Sequence, residues 1–328
     1  MQDFRYQRVN SIEDAIHALQ QQPAAKFIGG GTNLLDLMKG DVEKPDYLID
    51  ITRLPLAQIR VDDNGLLIGA LMRNSDVANH AHVRKHYPLL AQALVAGASP
   101  QLRNMATAGG NLLQRTRCGY FYDTAYAQCN KRLPGSGCAA RAGIAHNHAI
   151  FGASEHCIAI NPSDMSVALV ALDASVRVQG PQGQRVIPLA DFFRLPGETP
   201  HIDTNLQRDE LIVAVELPPA RYAQHSHYLK IRERSSYAFA LVSVAAALDI
   251  SGDKINDARI ALGGVAHKPW RLNALEDALR GNTLSVLNDD ALIALAVRDA
   301  QPSPQNAYKI SLVRTATRRA LAIAGAVT

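Results

Sequence analysis

The stretch TAGGNLLQRTRCGYFYDTAYAQCNKRLPGSGCAARAGIAHNHAIFGASE, the 49 residues from Thr107 to Glu155, decides how this chain is read. It opens on a glycine turn, Thr107 to Asn111, and carries three of the four cysteines, with Cys157 just beyond. Between Cys118, Cys129, Cys138 and Cys157 lie 10, 8 and 18 residues, and the rest of the 328-residue sequence has no cysteine. Confinement to one stretch points to one site: a phosphate-binding turn beside a metal centre.

Four thiolates bind either tetrahedral zinc or an iron-sulfur cluster. The C-x2-C pairs usual in zinc knuckles are absent, and Gly119, Pro134, Gly135, Ser136 and Gly137 form a flexible run that wraps a bulky group more easily than one ion. A 4Fe-4S cluster on Cys118, Cys129, Cys138 and Cys157 is the expectation; zinc, or four unrelated buried or free thiols, is the alternative. Disulfides are not expected, because a chain this long builds its own core. His146 and His148 are read as loop polarity, since four thiols already complete a cluster.

Working outward, Ser11 caps a helix expected over residues 12–20, with Asp14 at its third position in a capping-box pattern. Residues 25–28 read as a buried strand that runs into Gly29-Gly30-Gly31-Thr32-Asn33, followed by a helix over 34–39 and a strand over 47–51. The first 55 or so residues thus form a small α/β unit with a glycine loop at its centre. Three glycines at a strand-to-helix junction let backbone N–H groups point at an anion, and a dinucleotide pyrophosphate fits that chemistry. The pattern is neither the GxGxxG nor the GxxxxGK[ST] fingerprint, so a different nucleotide fold is implied; a tight turn without ligand is the alternative. About 80 residues later comes the Thr107–Asn111 turn, and the pair suggests a grip on two phosphates, with Thr32, Asn33, Thr107 and Asn111 donating side-chain hydrogen bonds. Asp62-Asp63-Asn64-Gly65 reads as the turn of a hairpin over residues 58–69, and Leu89, Leu90, Leu94 and Val95 mark a helix. Ser163 and Asp164 either contact a cofactor sugar or cap the next helix.

Composition is that of an ordinary globular protein, 47% apolar and 20% charged, with net charge +4 and 5% aromatic residues. Nothing calls for a nucleic-acid partner. No apolar run approaches the roughly 18 residues of a membrane span, and the N-terminus reads as structure rather than a signal, which suggests the cytoplasm, or the periplasm by co-export with a partner that carries a twin-arginine signal. After a Pro-rich junction at residues 216–220, strands are expected over 237–250 and 258–266 around Ser251-Gly252-Asp253. Helices follow, the last over 306–324, setting Tyr308, Ile310, Leu312, Leu321 and Ile323 among Arg314, Arg318 and Arg319, a cationic face for solvent or an acidic partner.

FIGGGTNLLDLMK (Phe27 to Lys39), TAGGNLLQRTRC (Thr107 to Cys118), CNKRLPGSGC (Cys129 to Cys138), NPSD (Asn161 to Asp164) and ALGGVAHKPWR (Ala261 to Arg271) resemble the FAD-binding medium subunit of molybdenum hydroxylases, over essentially the whole chain. Within that family the resemblance is to the FAD subunits of bacterial periplasmic-type aldehyde oxidoreductases. It implies an α+β fold: a PCMH or vanillyl-alcohol-oxidase type FAD domain over residues 1–220 (subdomains about 1–55 and 56–220, cysteine loop 115–157), then a smaller domain of the CO dehydrogenase flavoprotein type over 221–328. The implied FAD contacts are Phe27, Ile28, Gly29, Gly30, Gly31, Thr32 and Asn33, then Thr107, Ala108, Gly109, Gly110 and Asn111, then Ser163, Asp164, Ile212 and Lys230. The last would stabilise the anionic reduced ring, or is a plain surface lysine on a strand. Members with a cysteine insertion bind an extra 4Fe-4S cluster, and all four positions are filled here. No residue is expected to do acid-base catalysis. Substrate would be hydroxylated at a molybdenum cofactor in a large subunit, and electrons would reach this FAD through 2Fe-2S clusters of a small subunit before passing to an external acceptor. A self-sufficient flavoprotein oxidoreductase and a zinc-stabilised binding protein are the other readings.

Overall fold

The computed structural model describes residues 1–22 and 24–326; Val327 and Thr328, the end of the expected C-terminal unit, lie outside the described residues. Among the described residues twelve strands make three sheets. The first holds β1 (Arg5–Arg8), β2 (Lys26–Ile28) and β3 (Tyr47–Asp50), all parallel in the order β1-β3-β2. Parallel neighbours need crossovers, which the helices Ile12–Gln21 and Leu34–Lys39 supply. Ser11 Oγ accepts the Asp14 N–H at 3.0 Å and starts the first helix, whose Ala15, Ile16, Ala18 and Leu19 are buried. Strand β2 is less buried than its sequence suggests: Phe27 and Ile28 are half-buried and line a cavity, Phe27 also packing against the core of the first sheet.

The second sheet, in the order β4-β5-β8-β6-β7, is antiparallel and joins β4 (Ile59–Asp62), β5 (Gly65–Gly69), β6 (Ser175–Gly180), β7 (Gly183–Pro188) and β8 (Leu211–Leu217). The expected hairpin is β4-β5, and Gly65 at φ 120° occupies backbone space that other residues avoid. Strand β8, LIVAVEL, has apolar residues on both faces: Leu211 and Val213 join the core of the first sheet, while Ile212, Val215 and Leu217 join a core shared with the helices Pro88–Ala96 and Asp164–Ala171. That is why it reads as a continuous apolar run instead of an alternation.

The third sheet runs β12-β11-β10-β9, with β9 (Ser226–Ile231), β10 (Val242–Ser251), β11 (Lys254–Gly263) and β12 (Trp270–Arg271), all antiparallel. The strands expected over 237–250 and 258–266 are shifted. Tyr237 at φ 50° cannot sit in a strand, so residues 232–241 form a loop, and Gly264 at φ 73° ends β11 early. Strand β10 packs both ways, with Val242, Val244, Ala246 and Leu248 under the C-terminal helix, and Ala245 and Ala247 in the core of the second sheet.

The C-terminal helix, Tyr308–Ala326, buries Leu321 and half-buries Ile310 and Leu312 as its apolar residues suggest, but leaves Tyr308 out and fills most of its inner face with small residues. Lys309, Val313, Ala316, Thr317, Ala320, Leu321 and Ala324 are buried, whereas Tyr308 is 40% exposed. Small side chains let the helix lie close to β9 and β10. The basic face is not simply solvated, since Arg318 pairs with Asp290 and Arg314 lies 3.9 Å from it. The Lys309 ammonium is fully buried and donates to Gly264 O (2.7 Å) and Asn147 O (3.2 Å). Burial pushes it down to about 8 from 10.5.

That shift sets a pH dependence. Between pH 8 and 10.5 the unfolded chain holds a proton that the folded chain does not, so this group makes stability rise with pH across the window, and its charging cost is fully present below it. Urea midpoints at pH 7.5 and 9.5 should therefore rise with pH in the wild type relative to Lys309→Met, and equal pH slopes in the two would refute the assignment.

Candidate cofactor site and cysteine centre

Strand β2 delivers the chain into Gly29–Asn33, with Gly31 at φ 73°. This loop touches the segment Met105–Thr107: a Cβ on Gly30 would overlap the Met105 carbonyl oxygen, and one on Gly29 would meet Thr107 Oγ1 at 3.2 Å. The Thr107–Asn111 segment, expected as a second turn, is instead the start of a short helix, Ala108–Leu112. Thr107 Oγ1 caps it by accepting the Gly110 N–H at 3.2 Å, and the amides of Ala108 and Gly109 are tied to Met72 O and Ala70 O, each at 2.8 Å. In contrast, among the described residues no protein acceptor meets the amides of Gly29, Gly30, Gly31, Thr32 and Asn33. Free N–H groups in a glycine loop form an anion-binding concavity.

Two cavities flank this loop, one of about 1080 Å³ and one of about 640 Å³. Thr32, Asn33, Gly110, Gln114 and Thr116 belong to the wall between them. The smaller is lined by Phe27 to Asn33, Thr107, Gly109 and Ile212; the larger takes Asn111, Asp164 and Lys230. Ala108 and Ser163 line neither.

The polar side chains expected to grip phosphate are mostly committed inside the protein. Asn33 Oδ1 accepts the Arg115 N–H at 2.9 Å. Asn111 Oδ1 accepts from Ser163 Oγ and from Gln114 Nε2, both at 2.7 Å, while Ser163 Oγ caps the helix Asp164–Ala171 by accepting the Ser166 N–H at 3.0 Å. These contacts hold the loops in register. Lys230 is no surface residue, for its ammonium is buried, 2.8 Å from Asp164 Oδ2 and donating to Ala96 O at 3.1 Å. The Asp164 carboxylate also accepts the Tyr228 hydroxyl at 2.7 Å, and burial raises that hydroxyl well above its ordinary range, so it stays a donor. Charge on Lys230 is thus already balanced within the wall of the larger cavity.

All four cysteines line one narrow cavity of about 10 Å³. Residues 129 and 138 bridge through their backbones, and the Cys157 thiol hydrogen-bonds Cys138, which lowers Cys138 and pushes Cys157 up. Burial raises Cys118 to about 11. Backbone amides near the sulfurs favour their thiolates, those of Tyr120 beside Cys118, Ala140 and Ile158 beside Cys138 and Ala159 beside Cys157, while the Phe121 and Arg141 amides donate to the carbonyls of Cys118 (3.0 Å) and Cys138 (3.2 Å). No carboxylate lines this cavity. Soft donors ringed by amides suit thiolate ligation of an electron-rich group, although a cluster would have to part the Cys138–Cys157 contact. Among the described residues no three His, Cys, Asp or Glu are grouped so as to hold a single metal ion. His148, expected to be mere loop polarity, lies with Nε2 3.2 Å from Cys118 Sγ, and burial holds it neutral at about 4.

Sequence reasoning missed the ion-pair network behind this centre. Buried Lys131 binds Asp203 and donates to Pro200 O at 2.8 Å; Arg115 bridges Asp203 (2.9 Å) and Glu43 (2.6 Å). Burial works against charge on Asp203, but the Lys131 and Arg115 cations outweigh it and hold the carboxyl low. Partners so far apart in sequence leave no local pattern. Lys131 lines both the cysteine cavity and the smaller large cavity, and Cys118 lines both the cysteine cavity and the larger one.

Residues 2–220 match the family described as FAD binding domain in molybdopterin dehydrogenase, and residues 227–324 match the CO dehydrogenase flavoprotein C-terminal domain. The chain belongs to the FAD-binding medium subunits of the molybdenum hydroxylase family. It is 53% identical over 328 residues, 99% of each chain, to the aldehyde oxidoreductase FAD-binding subunit PaoB of Escherichia coli (strain K12). To the glyceraldehyde dehydrogenase medium chain of Sulfolobus acidocaldarius it is 29% identical over 309 residues, 94% of this chain and 91% of that one. Among solved structures, carbon monoxide dehydrogenase from Hydrogenophaga pseudoflava matches with a TM-score of 0.76 at 28% identity, covering 98% of this chain and 97% of that one.

The buried Asp164–Lys230 pair yields a direct test. Lys230→Met strands a buried carboxylate and should cost about 3–5 kcal/mol of stability, whereas Asp164→Asn introduced with it should recover most of the loss. Urea midpoints of the two variants measure this, and equal losses would mean that the pair is not the dominant interaction there.

Proposed function

We propose that this chain is the FAD- and 4Fe-4S-binding electron-transfer subunit of a molybdenum-dependent aldehyde oxidoreductase complex, working with a large molybdenum-cofactor subunit and a small 2Fe-2S subunit. One observation carries this reading: the cavity that gathers the four cysteines shares Cys118 with one of the large cavities and Lys131 with the other. A redox centre on the thiols would border the cofactor cleft directly. The 53% identity to an aldehyde oxidoreductase subunit over the full length supports aldehyde as the substrate class of the complex.

The free amides of Gly29 to Asn33 would hold the FAD pyrophosphate. The larger cavity, with Asp164 and Lys230 in its wall, has room for the three-ring isoalloxazine, and the smaller one, against Phe27, Ile28 and Ile212, suits the adenosine. When bound, FAD supplies the exchange between one-electron carriers and a two-electron acceptor. The protein's own contribution is to position and to neutralise: Asn33, Asn111 and Ser163 fix the loops, and Lys230 and Asp164 set a balanced charge pair beside the ring cavity. Cys118, Cys129, Cys138 and Cys157 would hold the cluster. Among the described residues no helix is long and apolar enough to cross a membrane.

Iron, zinc, acid-labile sulfide and released flavin should be measured on anaerobically purified protein and on a Cys129→Ser, Cys138→Ser variant. About four irons, four sulfides and one FAD are expected, with the variant losing its iron and keeping flavin. One zinc and no flavin would overturn the proposal.

A further inference from the structure

His148 stands in the cysteine loop, is more than nine-tenths buried, and places Nε2 3.2 Å from Cys118 Sγ. The backbone that carries the ring is held from two sides. The His148 N–H donates to Ala145 O at 3.0 Å, while from the C-terminal unit buried Asn306 donates to His148 O (3.3 Å) and Ala149 O (3.1 Å), and Lys309 Nζ to Asn147 O (3.2 Å). Of the four cysteines, Cys118 alone lines both the cysteine cavity and the larger cavity. With Cys118 a thiol, either atom of the contact can carry the proton. A ligating thiolate has none, so with Cys118 bound to a metal centre the contact survives only as Nε2–H donating to sulfur. Nδ1 has no partner that would draw the proton to the other nitrogen.

We propose that His148 is a positioning residue that acts through Cys118: its Nε2–H donates to the ligating sulfur and raises the reduction potential of a cluster held by the four cysteines. Hydrogen bonds to the sulfurs are among the levers that set an iron-sulfur potential. One-electron reduction adds negative charge that spreads onto the ligating sulfurs, and a donor already aimed at one of them stabilises the reduced state more than the oxidised one. The Tyr120 amide lies beside the same sulfur, but only the imidazole comes from a side chain and can be exchanged. The inference rests on the reading that Cys118, Cys129, Cys138 and Cys157 hold a 4Fe-4S cluster.

The test uses the anaerobically purified full-length chain, with the cluster midpoint potential read by redox titration of its paramagnetic resonance, in the wild type, His148→Leu and His148→Gln. Loss of the donor should make one-electron reduction about tenfold less favourable in the Leu variant, a midpoint about 59 mV lower, with iron and FAD content unchanged. The Gln variant, whose amide N–H reaches to the same place as Nε2, should recover most of the potential. With the histidines isotope-labelled at nitrogen, the reduced wild-type cluster should show a weak nitrogen coupling that the Leu variant lacks. An unchanged midpoint in the Leu variant, an equal fall in the Leu and Gln variants, or a nitrogen coupling as strong as direct iron ligation would each overturn the inference. Should the Leu variant assemble no cluster, His148→Phe takes its place under the same expectations, and absence of the nitrogen coupling from the wild type refutes the proposal without any variant. A wild type that holds no iron would instead remove the cluster reading on which the inference rests.

Discussion

The cofactor cleft depends on a single close approach of backbone to backbone, that of Gly30 to Met105. Nothing larger than hydrogen fits there. The loop after β2 lines the smaller large cavity, its Thr32 and Asn33 also the larger, and among the described residues its amides meet no protein acceptor. The hydrogen bonds around this contact preserve it. Thr107 caps the short helix, Asn111 is braced by Ser163, and Asn33 is braced by Arg115, so side chains that look like ligand donors in the sequence act mainly as struts. Amides held in this way would receive an anion without reorganisation.

The cysteine loop is fastened independently of anything its thiols bind. Arg115 reaches Glu43 and Asp203, Lys131 is buried against Asp203, and Lys309 on the last helix donates to Asn147 near the end of the loop. Arg132 donates to the carbonyls of Tyr120 and Phe121 within the loop. These ion pairs and backbone acceptors help to hold the four sulfurs near one another.

Several local signals in the sequence were faithful, although the Thr107–Asn111 turn proved to be the start of a helix. Ser11 starts its helix and Asn64-Gly65 turns its hairpin. The cysteines, so confined in sequence, do line one cavity. Long-range pairing was invisible. Lys230 read as a flavin contact or a surface lysine because its partner Asp164 is 66 residues away, and nothing local marked Lys309, whose acceptor at Gly264 is 45 residues away. The strand boundary before Val242 was missed because the positive φ of Tyr237 is imposed by its surroundings and not announced by its residue type. His148 carried no spacing pattern, and only its position in the fold gives it meaning.

Strand β10 lies in two cores at once, its valines and Leu248 under the C-terminal helix and its Ala245 and Ala247 against the residues around Asp164–Ala171. A strand shared in this way makes the chain one object, whatever its division into recognisable halves. Separating the halves at the Pro-rich junction would bare the alanine face of the strand and the apolar flank of that helix together, leaving each fragment with a sticky surface. The third sheet is therefore built into the same packing as the second rather than appended to it.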